Sequence, residues 1–309
     1  MELFDLLVVG GGPGGYLCAE RAAQGGMKVA LFEKRALGGT CLNEGCIPTK
    51  TLLNSSKMYR HATESAAFGV TVTGATYDHA KVIDRKNKVV KTLVSGVGAT
   101  MSANKVTVIT GDAKIAGRVA DGFAVEANGT TYNGRRLAIA SGSETVVPPV
   151  PGLKEGLASG FVVTNREVLD LKELPKDLVV IGGGVIGLEF ASIFRSFGSE
   201  VTVLEYCKDI LPRFDTDLAK RLKQSLGKRG IEICTQAQVT GITVIPTEAE
   251  GRVEESVYKV SFTRKGKEEA VEADKVLMAV GRKANVGSLN LADIGLEFTP
   301  RGITVDERT

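Results

Sequence analysis

The 309-residue sequence has no tryptophan, two histidines, five cysteines and no long hydrophobic stretch. The only histidines are His61 and His79, and the cysteines do not form the C-x-x-C pairs that would complete four zinc ligands, so we predict no metal site. The lack of a long apolar run argues against a membrane-spanning helix. The net charge is +3 without a lysine or arginine block, which gives no electrostatic reason to expect nucleic acid or an anionic membrane as a partner.

Size and composition predict a globular protein with about two domains. Hydrophobic residues make up 43% of the chain and charged residues 24%. The N-terminal apolar stretch is too short for a signal peptide, and the cysteines lack the dense pattern of a stapled secreted domain. We therefore expect a cytoplasmic location.

Residues 38–50 read GGTCLNEGCIPTK and place Cys41 and Cys46 with four residues between them. On a regular helix this five-residue step rises about 7.5 Å, beyond the roughly 7 Å limit for a disulfide. Gly45 can adopt dihedral angles that other residues avoid, and Pro48 suits a first helical turn. We therefore place the cysteines in a loop or distorted first turn, with a helix from about Pro48 toward Met58 whose N-terminus favours thiolate at Cys46. The spacing alone leaves redox chemistry and plain packing both open.

Residues 5–34 have the pattern strand, glycine turn, helix, strand. Gly10, Gly12 and Gly15 form G-x-G-x-x-G after an apolar run, and Glu33 closes the next strand. Such glycines let the backbone approach a pyrophosphate at the helix N-terminus, and the acid can bind ribose hydroxyls. The pattern predicts dinucleotide binding, against the alternative of a glycine-rich turn that binds nothing.

Residues 177–206 repeat residues 5–34 at a constant offset of 172, with eleven of thirty positions identical. The repeat keeps the glycines as Gly182, Gly184 and Gly187 and the acid as Glu205. Two copies predict two bound nucleotides, although a nonbinding fold is again the alternative. Glu205 would repel a 2′-phosphate and no cation follows it directly, which favours NAD over NADP at the second copy.

The segments outside the two copies have secondary-structure patterns of their own. Residues 55–103 have a helical pattern, which we interpret as a surface-covering helix with solvated lysines. Residues 105–141 and 259–285 each contain short alternating stretches, which predict a small antiparallel unit in the first case and a hairpin followed by a buried strand in the second. The proline-rich residues 146–152 mark a domain boundary.

The cysteine segment resembles the active-site signature of the class I pyridine-nucleotide disulfide oxidoreductases, and most closely that of their dihydrolipoamide dehydrogenase branch. The resemblance covers essentially the whole chain. It implies an α/β fold of two Rossmann-like dinucleotide-binding domains, each with a central parallel sheet and a small antiparallel unit. The implied domains are residues 1–147 for FAD and the redox-active disulfide, residues 148–280 for NAD, and residues 281–309 as the start of a segment returning to the FAD domain.

The resemblance also assigns functions to individual residues. Cys41, Cys46, Lys50 and Glu189 are the implied catalytic residues, with Lys50 and Glu189 as an ion pair beside the flavin. A solvated lysine and a surface glutamate are the plainer alternative. Ser141 and Gly142 belong to a segment near the flavin adenosine, and Gly281 begins a turn toward the flavin domain. The implied cofactor-binding residues are Gly10, Gly12, Gly15, Glu33, Lys34, Gly39, Thr40, Lys50, Ser141, Gly142, Gly182, Gly184, Gly187, Glu205 and Gly281.

The implied reaction converts dihydrolipoamide and NAD to lipoamide and NADH through Cys41, Cys46 and FAD. The implied partner is free dihydrolipoamide or the lipoyl domain of a 2-oxo acid dehydrogenase or glycine cleavage complex. Members of the branch continue into a dimerisation domain that carries the catalytic base, so we expect a longer homodimeric parent and little turnover by this chain. Two alternatives stay open: a related glutathione-type or mercuric-type reductase, and a noncatalytic fragment that binds FAD and NAD.

Overall fold

A computed structural model describes residues 3–245 and 257–307 of the chain. The chain divides into two compact units. The first unit comprises Met1–Pro48, Asn87–Glu144 and Arg282–Thr309, and the second comprises Thr49–Lys86 and Thr145–Gly281. Each unit is therefore assembled from stretches that are distant in the sequence.

The elements follow a repeated α/β order. The strands are β1 (Leu3–Val9), β2 (Val29–Glu33), β3 (Thr107–Thr110), β4 (Ala113–Val119), β5 (Gly122–Ala127), β6 (Thr130–Ile139), β7 (Ser143–Thr145), β8 (Val162–Val163), β9 (Asp177–Ile181), β10 (Glu200–Glu205), β11 (Ile231–Thr235), β12 (Ala237–Ile245), β13 (Val257–Arg264), β14 (Lys267–Ala273), β15 (Lys275–Met278), β16 (Arg282–Ala284), β17 (Phe298–Thr299) and β18 (Gly302–Ile303). The α-helices are α1 (Pro13–Gln24), α2 (Gly39–Asn43), α3 (Cys46–Thr63), α4 (His79–Ala103), α5 (Leu153–Ser159), α6 (Val185–Phe197) and α7 (Thr216–Lys228). Short 3₁₀ helices span Ser65–Phe68, Glu167–Asp170 and Leu291–Ile294.

The first unit contains a six-stranded sheet in the order β3-β2-β1-β6-β5-β4. Strands β3, β2, β1 and β6 are parallel, whereas β4, β5 and the beginning of β6 form an antiparallel meander. Along β1, Leu7 and Val9 face one hydrophobic core and Leu6 and Val8 face another, as expected when side chains alternate across a strand. The parallel part of the sheet is thus covered on both faces.

The second unit repeats this plan. Its parallel sheet has the order β11-β10-β9-β15-β8, and a separate antiparallel sheet has the order β12-β13-β14. Along β9, Leu178 and Val180 face one core while Val179 and Ile181 face the other. The fold prediction of two α/β units, each with a parallel sheet and a small antiparallel part, is confirmed.

Three local predictions differ from the structure. Strand β3 does not join the antiparallel unit but pairs parallel with β2, because helix α4 returns the chain to the same end of the sheet. The predicted helical stretch over residues 55–103 is divided, since α3 ends at Thr63 and α4 begins at His79. Lys86 on α4 is not solvated: its side chain is only 3% exposed and forms an ion pair with Asp170 within the second unit.

Across residues 3–245 and 257–307, the helices are too short or too polar to span a bilayer.

Candidate active site

The first glycine turn packs so closely that two of its glycines cannot carry a side chain. A Cβ on Gly10, which has φ +105°, would lie 2.2 Å from the carbonyl oxygen of Ala140. A Cβ on Gly15 would lie 1.7 Å from the carbonyl oxygen of Gly10. Helix α1 starts directly after Gly12 with Pro13 at its first position, so its free N–H groups face the turn.

The second glycine turn has the same geometry. Gly182 has φ +111°, and a Cβ there would lie 2.5 Å from the carbonyl oxygen of Ala279. A Cβ on Gly187 would lie 2.1 Å from the carbonyl oxygen of Gly182. Helix α6 begins after Gly184. Both turns therefore present a helix N-terminus without side chains in the way, which is the arrangement that suits a phosphate.

The carboxylate that ends the second strand is held identically in both copies. Glu33 accepts hydrogen bonds from the backbone N–H of Gly11 and of Arg35, each at 2.8 Å. Glu205 accepts from the N–H of Gly183 at 2.6 Å and from that of Cys207 at 2.7 Å. These bonds fix each carboxylate beside its glycine turn, where it can meet a ribose.

The two cysteines lie on consecutive helices of different length. Cys41 is in the middle of the five-residue helix α2, and Cys46 is the exposed first residue of α3. The helix interruption agrees with the disulfide-reach argument, although Cys41 is helical and α3 starts two residues before Pro48. Gly45 does not have the positive φ that glycine permits. It is constrained instead by space, because a Cβ there would lie 2.9 Å from the carbonyl oxygen of Thr40.

The segment that carries Cys41 lies directly against the first glycine turn. The N–H of Gly38 donates to the carbonyl oxygen of Gly11 at 2.8 Å. A Cβ on Gly39, which has φ +54°, would lie 2.6 Å from the Cα of Gly12. Helix α2 therefore begins in contact with the turn, and the cysteine loop is tied to the predicted flavin site within one unit.

Two residues of the segment returning to the first unit complete this region. Arg282 donates through Nε to the hydroxyl of Ser143 at 2.8 Å and through a terminal nitrogen to the hydroxyl of Thr40 at 3.4 Å. Asn285 donates from its side chain to the carbonyl oxygen of Ser141 at 3.1 Å and from its backbone to that of Gly142 at 3.0 Å. The role of the Arg282 side chain was not identified from the sequence.

Lys50 and Glu189 form an ion pair in the second unit, with Nζ and Oε1 separated by 2.7 Å. The two residues are 139 positions apart and lie on α3 and α6. Their side chains are 58% and 25% exposed. The two charges are thus paired, and the lysine is also largely solvated.

Other candidate residues have simpler surroundings. Lys34 forms a long, exposed ion pair with Asp112 at 3.9 Å. Gly281 has φ +131°, and its carbonyl oxygen accepts from the N–H of Val146 at 3.0 Å.

The pKa of the Cys207 thiol is raised, first by burial and then by the neighbouring Glu205 carboxylate. Within the described ranges, no cluster of three or more His, Cys, Asp or Glu side chains could hold a metal ion.

Neither histidine has the surroundings of a catalytic base. His79 Nε2 lies 2.9 Å from the carbonyl oxygen of Leu171, so this nitrogen donates and carries the proton. Its ring packs edge-on against Tyr77 and Phe197. His61 is exposed near the end of α3. His79 therefore supports the packing of the second unit.

Two dinucleotide-type turns and a cysteine pair at one of them are the organisation of a disulfide oxidoreductase. Over residues 4–309 the chain matches the family described as pyridine nucleotide-disulphide oxidoreductase, and it belongs to that family. FAD and NAD(P) are the cofactors of this family, which confirms the predicted cofactor classes.

Named relatives and solved structures agree with this placement. The chain is 43% identical over 305 residues to a dihydrolipoyl dehydrogenase of Acholeplasma laidlawii, covering 98% of this chain and 85% of the relative. It is 39% identical over 299 residues to a dihydrolipoyl dehydrogenase of Staphylococcus aureus, covering 97% of this chain but 61% of the relative. The Cu(II) complex of the HOCl-induced flavoprotein disulfide reductase RclA from Escherichia coli matches with a TM-score of 0.79 and 32% identity, covering 100% of this chain and 63% of that one.

Proposed function

We propose that this chain carries the flavin-, NAD- and disulfide-bearing part of a dihydrolipoyl dehydrogenase. The observation that supports this most directly is the contact of the cysteine segment with the first glycine turn, through Gly39 and Gly12. That contact supports a two-electron sulfur couple beside the flavin that the resemblance implies. The identity to named dihydrolipoyl dehydrogenases favours this branch of the family.

The residues around both turns fit dinucleotides. In the first unit, Glu33 is positioned for an adenosine ribose, while Thr40, Ser141 and Gly142 lie in the segments joined by Arg282 and Asn285. In the second unit, Glu205 disfavours a 2′-phosphate, and the side chain at position 207 is a thiol rather than a cation. We therefore assign FAD to the first unit and NAD to the second.

The sulfur chemistry balances without further reagents. A dihydrolipoyl thiolate attacks the Cys41 sulfur of a Cys41–Cys46 disulfide, and Cys46 leaves as a thiolate. The second substrate thiol attacks the substrate sulfur bound to Cys41, which closes the lipoyl disulfide and releases Cys41, and the departing Cys41 sulfur takes up the proton of the attacking thiol. Two electrons have then passed from substrate to protein. Bound FAD supplies the acceptor through which such electrons reach NAD.

The Lys50–Glu189 pair is assigned a supporting role by the resemblance, namely to steady the reduced flavin and orient the nicotinamide. A lysine that is more than half exposed contributes little to stability through one ion pair. We therefore propose a functional role for this pair rather than a stabilising one.

The substrate partner that we propose is dihydrolipoamide, free or on a lipoyl domain, and we propose that the complete parent enzyme is a homodimer. The chain spans 61% of the length of the S. aureus relative. Neither His61 nor His79 is placed to act as a base. We therefore expect the 309 residues alone to oxidise dihydrolipoamide slowly.

The test is a flavin spectrum of the purified chain after incubation with FAD, followed by addition of dihydrolipoamide and then NAD. We expect bound flavin, a long-wavelength absorption from thiolate beside flavin, and slow NADH formation. Cys41→Ser should abolish attack by the substrate, and Cys46→Ser should remove the long-wavelength band. Absence of flavin binding would overturn the proposal, while rapid turnover would contradict only the expected slow rate.

A second candidate is a reductase that uses pyridine nucleotide to reduce another substrate through the same cysteines. The likeness to the E. coli disulfide reductase over the whole chain favours this alternative. Anaerobic oxidation of NADH can be compared with lipoamide or Cu(II) as the acceptor. Faster oxidation with Cu(II), lost in Cys41→Ser, would favour the second candidate.

A further inference from the structure

Comparing the two copies of the repeat distinguishes the role of the Arg35 backbone from the role of its side chain. Position 35 corresponds to position 207 at the offset of 172, and the second copy has a cysteine there. Both residues donate their backbone N–H to the strand-end carboxylate, at 2.8 Å for Arg35 and 2.7 Å for Cys207. The nucleotide-binding unit thus needs only the backbone of this residue, so the guanidinium of Arg35 serves another purpose.

The guanidinium of Arg35 binds the cysteine loop. Its terminal nitrogen lies 2.7 Å from the Oε1 of Glu44. The Glu44 side chain is only 16% exposed, whereas that of Arg35 is 47% exposed. Moving a mostly buried carboxylate out of water is costly unless a charged partner compensates it. Arg35 is a partner of that kind within the first unit.

Glu44 occupies a sensitive position in the loop. It lies two residues before Cys46 and three after Cys41, so its Cα is within about 7.6 Å of the Cys46 Cα along the chain. Its backbone N–H donates to the carbonyl oxygen of Thr40 at 2.8 Å, which holds it in the turn between helices α2 and α3. Glu44 is therefore part of the short turn that joins the two cysteines.

The other charged groups around the loop already have partners. Arg282 donates to Thr40, the residue before Cys41. Lys50, one turn after Cys46 on α3, is paired with Glu189. Arg35 is a cation that forms an ion pair with the Glu44 carboxylate within the first unit.

We propose that Arg35 is a positioning residue that neutralises Glu44 and thereby sets how readily the Cys41–Cys46 couple is reduced. Reduction converts a neutral disulfide to a thiol and a thiolate, and an unbalanced carboxylate nearby disfavours the new negative charge. The inference depends on the proposed redox role of the cysteine pair. The proposed role belongs to the Arg35 side chain, which the second copy of the repeat lacks because position 207 is a cysteine.

The experiment measures the thiol–disulfide equilibrium at one pH. The full chain is equilibrated under argon with defined ratios of reduced and oxidised dithiothreitol, quenched with acid and alkylated, and the peptide with Cys41 and Cys46 is quantified by mass. In this exchange the reagent gives two electrons and one proton to the protein disulfide, releases its second proton to the buffer and closes to its own cyclic disulfide. The variants are Arg35→Gln, Glu44→Gln and the double variant, with flavin content matched.

The expected results differ in sign. Arg35→Gln lowers the equilibrium constant for reduction about tenfold, which corresponds to about 30 mV for a two-electron couple. Glu44→Gln raises the constant several-fold, because Arg35 then favours the thiolate. The double variant returns to within about twofold of the wild type. Arg135→Gln is the matched control, since it removes an arginine from an exposed ion pair with Asp5 in the same unit, and should leave the constant unchanged.

Three results would overturn the proposal: an unchanged constant in both single variants, a decrease that persists in the double variant, or the same decrease in Arg135→Gln. If Arg35→Gln does not fold, as judged by urea unfolding, the sign of the Glu44→Gln effect decides. A wild-type chain in which Cys41 and Cys46 never form a disulfide would instead contradict the proposed function itself.

Discussion

The two glycine turns share one backbone design but differ in what lies over them. In both, the acid at the end of the second strand accepts two backbone N–H groups, and the first glycine lies against the carbonyl oxygen of an alanine. In the first unit, Gly39 then lies against Gly12. In the second unit, no described atom lies within 4 Å of a Cβ on Gly184.

The residues after the strand explain this difference. Gly38 and Leu211 occupy equivalent places, since they donate their backbone N–H to the carbonyl oxygens of Gly11 and Gly183 at 2.8 and 3.0 Å. Both have left-handed backbones, with φ of +92° and +50°. Leu211 is buried in the second unit. In the first unit the residue after Gly38 is Gly39, whose close approach to Gly12 excludes a side chain. The first turn is therefore covered by the cysteine segment, which suits a cofactor that stays bound, whereas the second turn leaves its helix end open to a nucleotide that exchanges.

The largest effect is expected from Gly39→Ala. The new Cβ would lie 2.6 Å from a backbone atom, and the left-handed conformation adds strain, so we expect the free energy of unfolding to fall by about 3–5 kcal/mol with loss of flavin. Gly184→Ala is the control and should cost less than about 1 kcal/mol. Urea unfolding and flavin retention measure both. Equal stability of the two variants would show that the first turn is not covered as described.

The next largest effect distinguishes the two carboxylates. Glu205 is 7% exposed and Glu33 is partly exposed, and each satisfies two backbone donors. Removing a buried acceptor leaves those donors unpaired, so Glu205→Ala should lower the free energy of unfolding by about 2–3 kcal/mol, more than Glu33→Ala does.

The same two variants should also separate the ligands. Glu205→Ala should weaken NADH binding, measured by fluorescence titration, and leave flavin content unchanged, whereas Glu33→Ala should do the opposite. Weakening of the same ligand by both variants would contradict the assignment of one nucleotide to each unit.

A smaller effect is expected from making the second turn resemble the first. Cys207→Arg keeps the backbone N–H that Glu205 accepts and adds a cation where a 2′-phosphate would lie. The affinity for NADPH relative to NADH should rise about fivefold to tenfold. Cys207→Gln, which adds length without charge, is the control. Titration of both nucleotides decides, and an equal shift in the two variants would assign the effect to size alone.

The smallest effect on stability is expected from Lys50→Met. The lysine is more than half exposed, so the free energy of unfolding should change by less than about 1 kcal/mol. If the pair supports the flavin and nicotinamide, reduction of bound flavin by NADH should nevertheless slow in stopped-flow measurements. Lys81→Met removes a comparable exposed pair with Asp78 in the same unit and should not alter that rate. An unchanged rate in Lys50→Met would leave the pair without a catalytic role.

Short-range patterns in the sequence predicted most of the architecture. Glycine spacing and strand alternation involve residues within one stretch of about thirty positions, and the repeat compares two such stretches letter by letter, so all three can be recognised without coordinates. The same holds for the separation of Cys41 and Cys46 by a helix break. The Lys50–Glu189 pair was predicted only through the resemblance, because 139 residues separate its members.

The sequence by itself determined two glycine turns, the spacing of Cys41 and Cys46, and the strand, turn, helix, strand order of each copy, since each depends on local backbone geometry. Only the tertiary structure decided that Lys86 is buried beside Asp170, that β3 runs parallel to β2, that Gly45 is needed for space and that Arg35 binds Glu44. These features depend on which distant segments approach each other, and charged side chains of the same type occur throughout the chain. Packing selects among them by the cost of leaving a buried charge or a crowded backbone uncompensated.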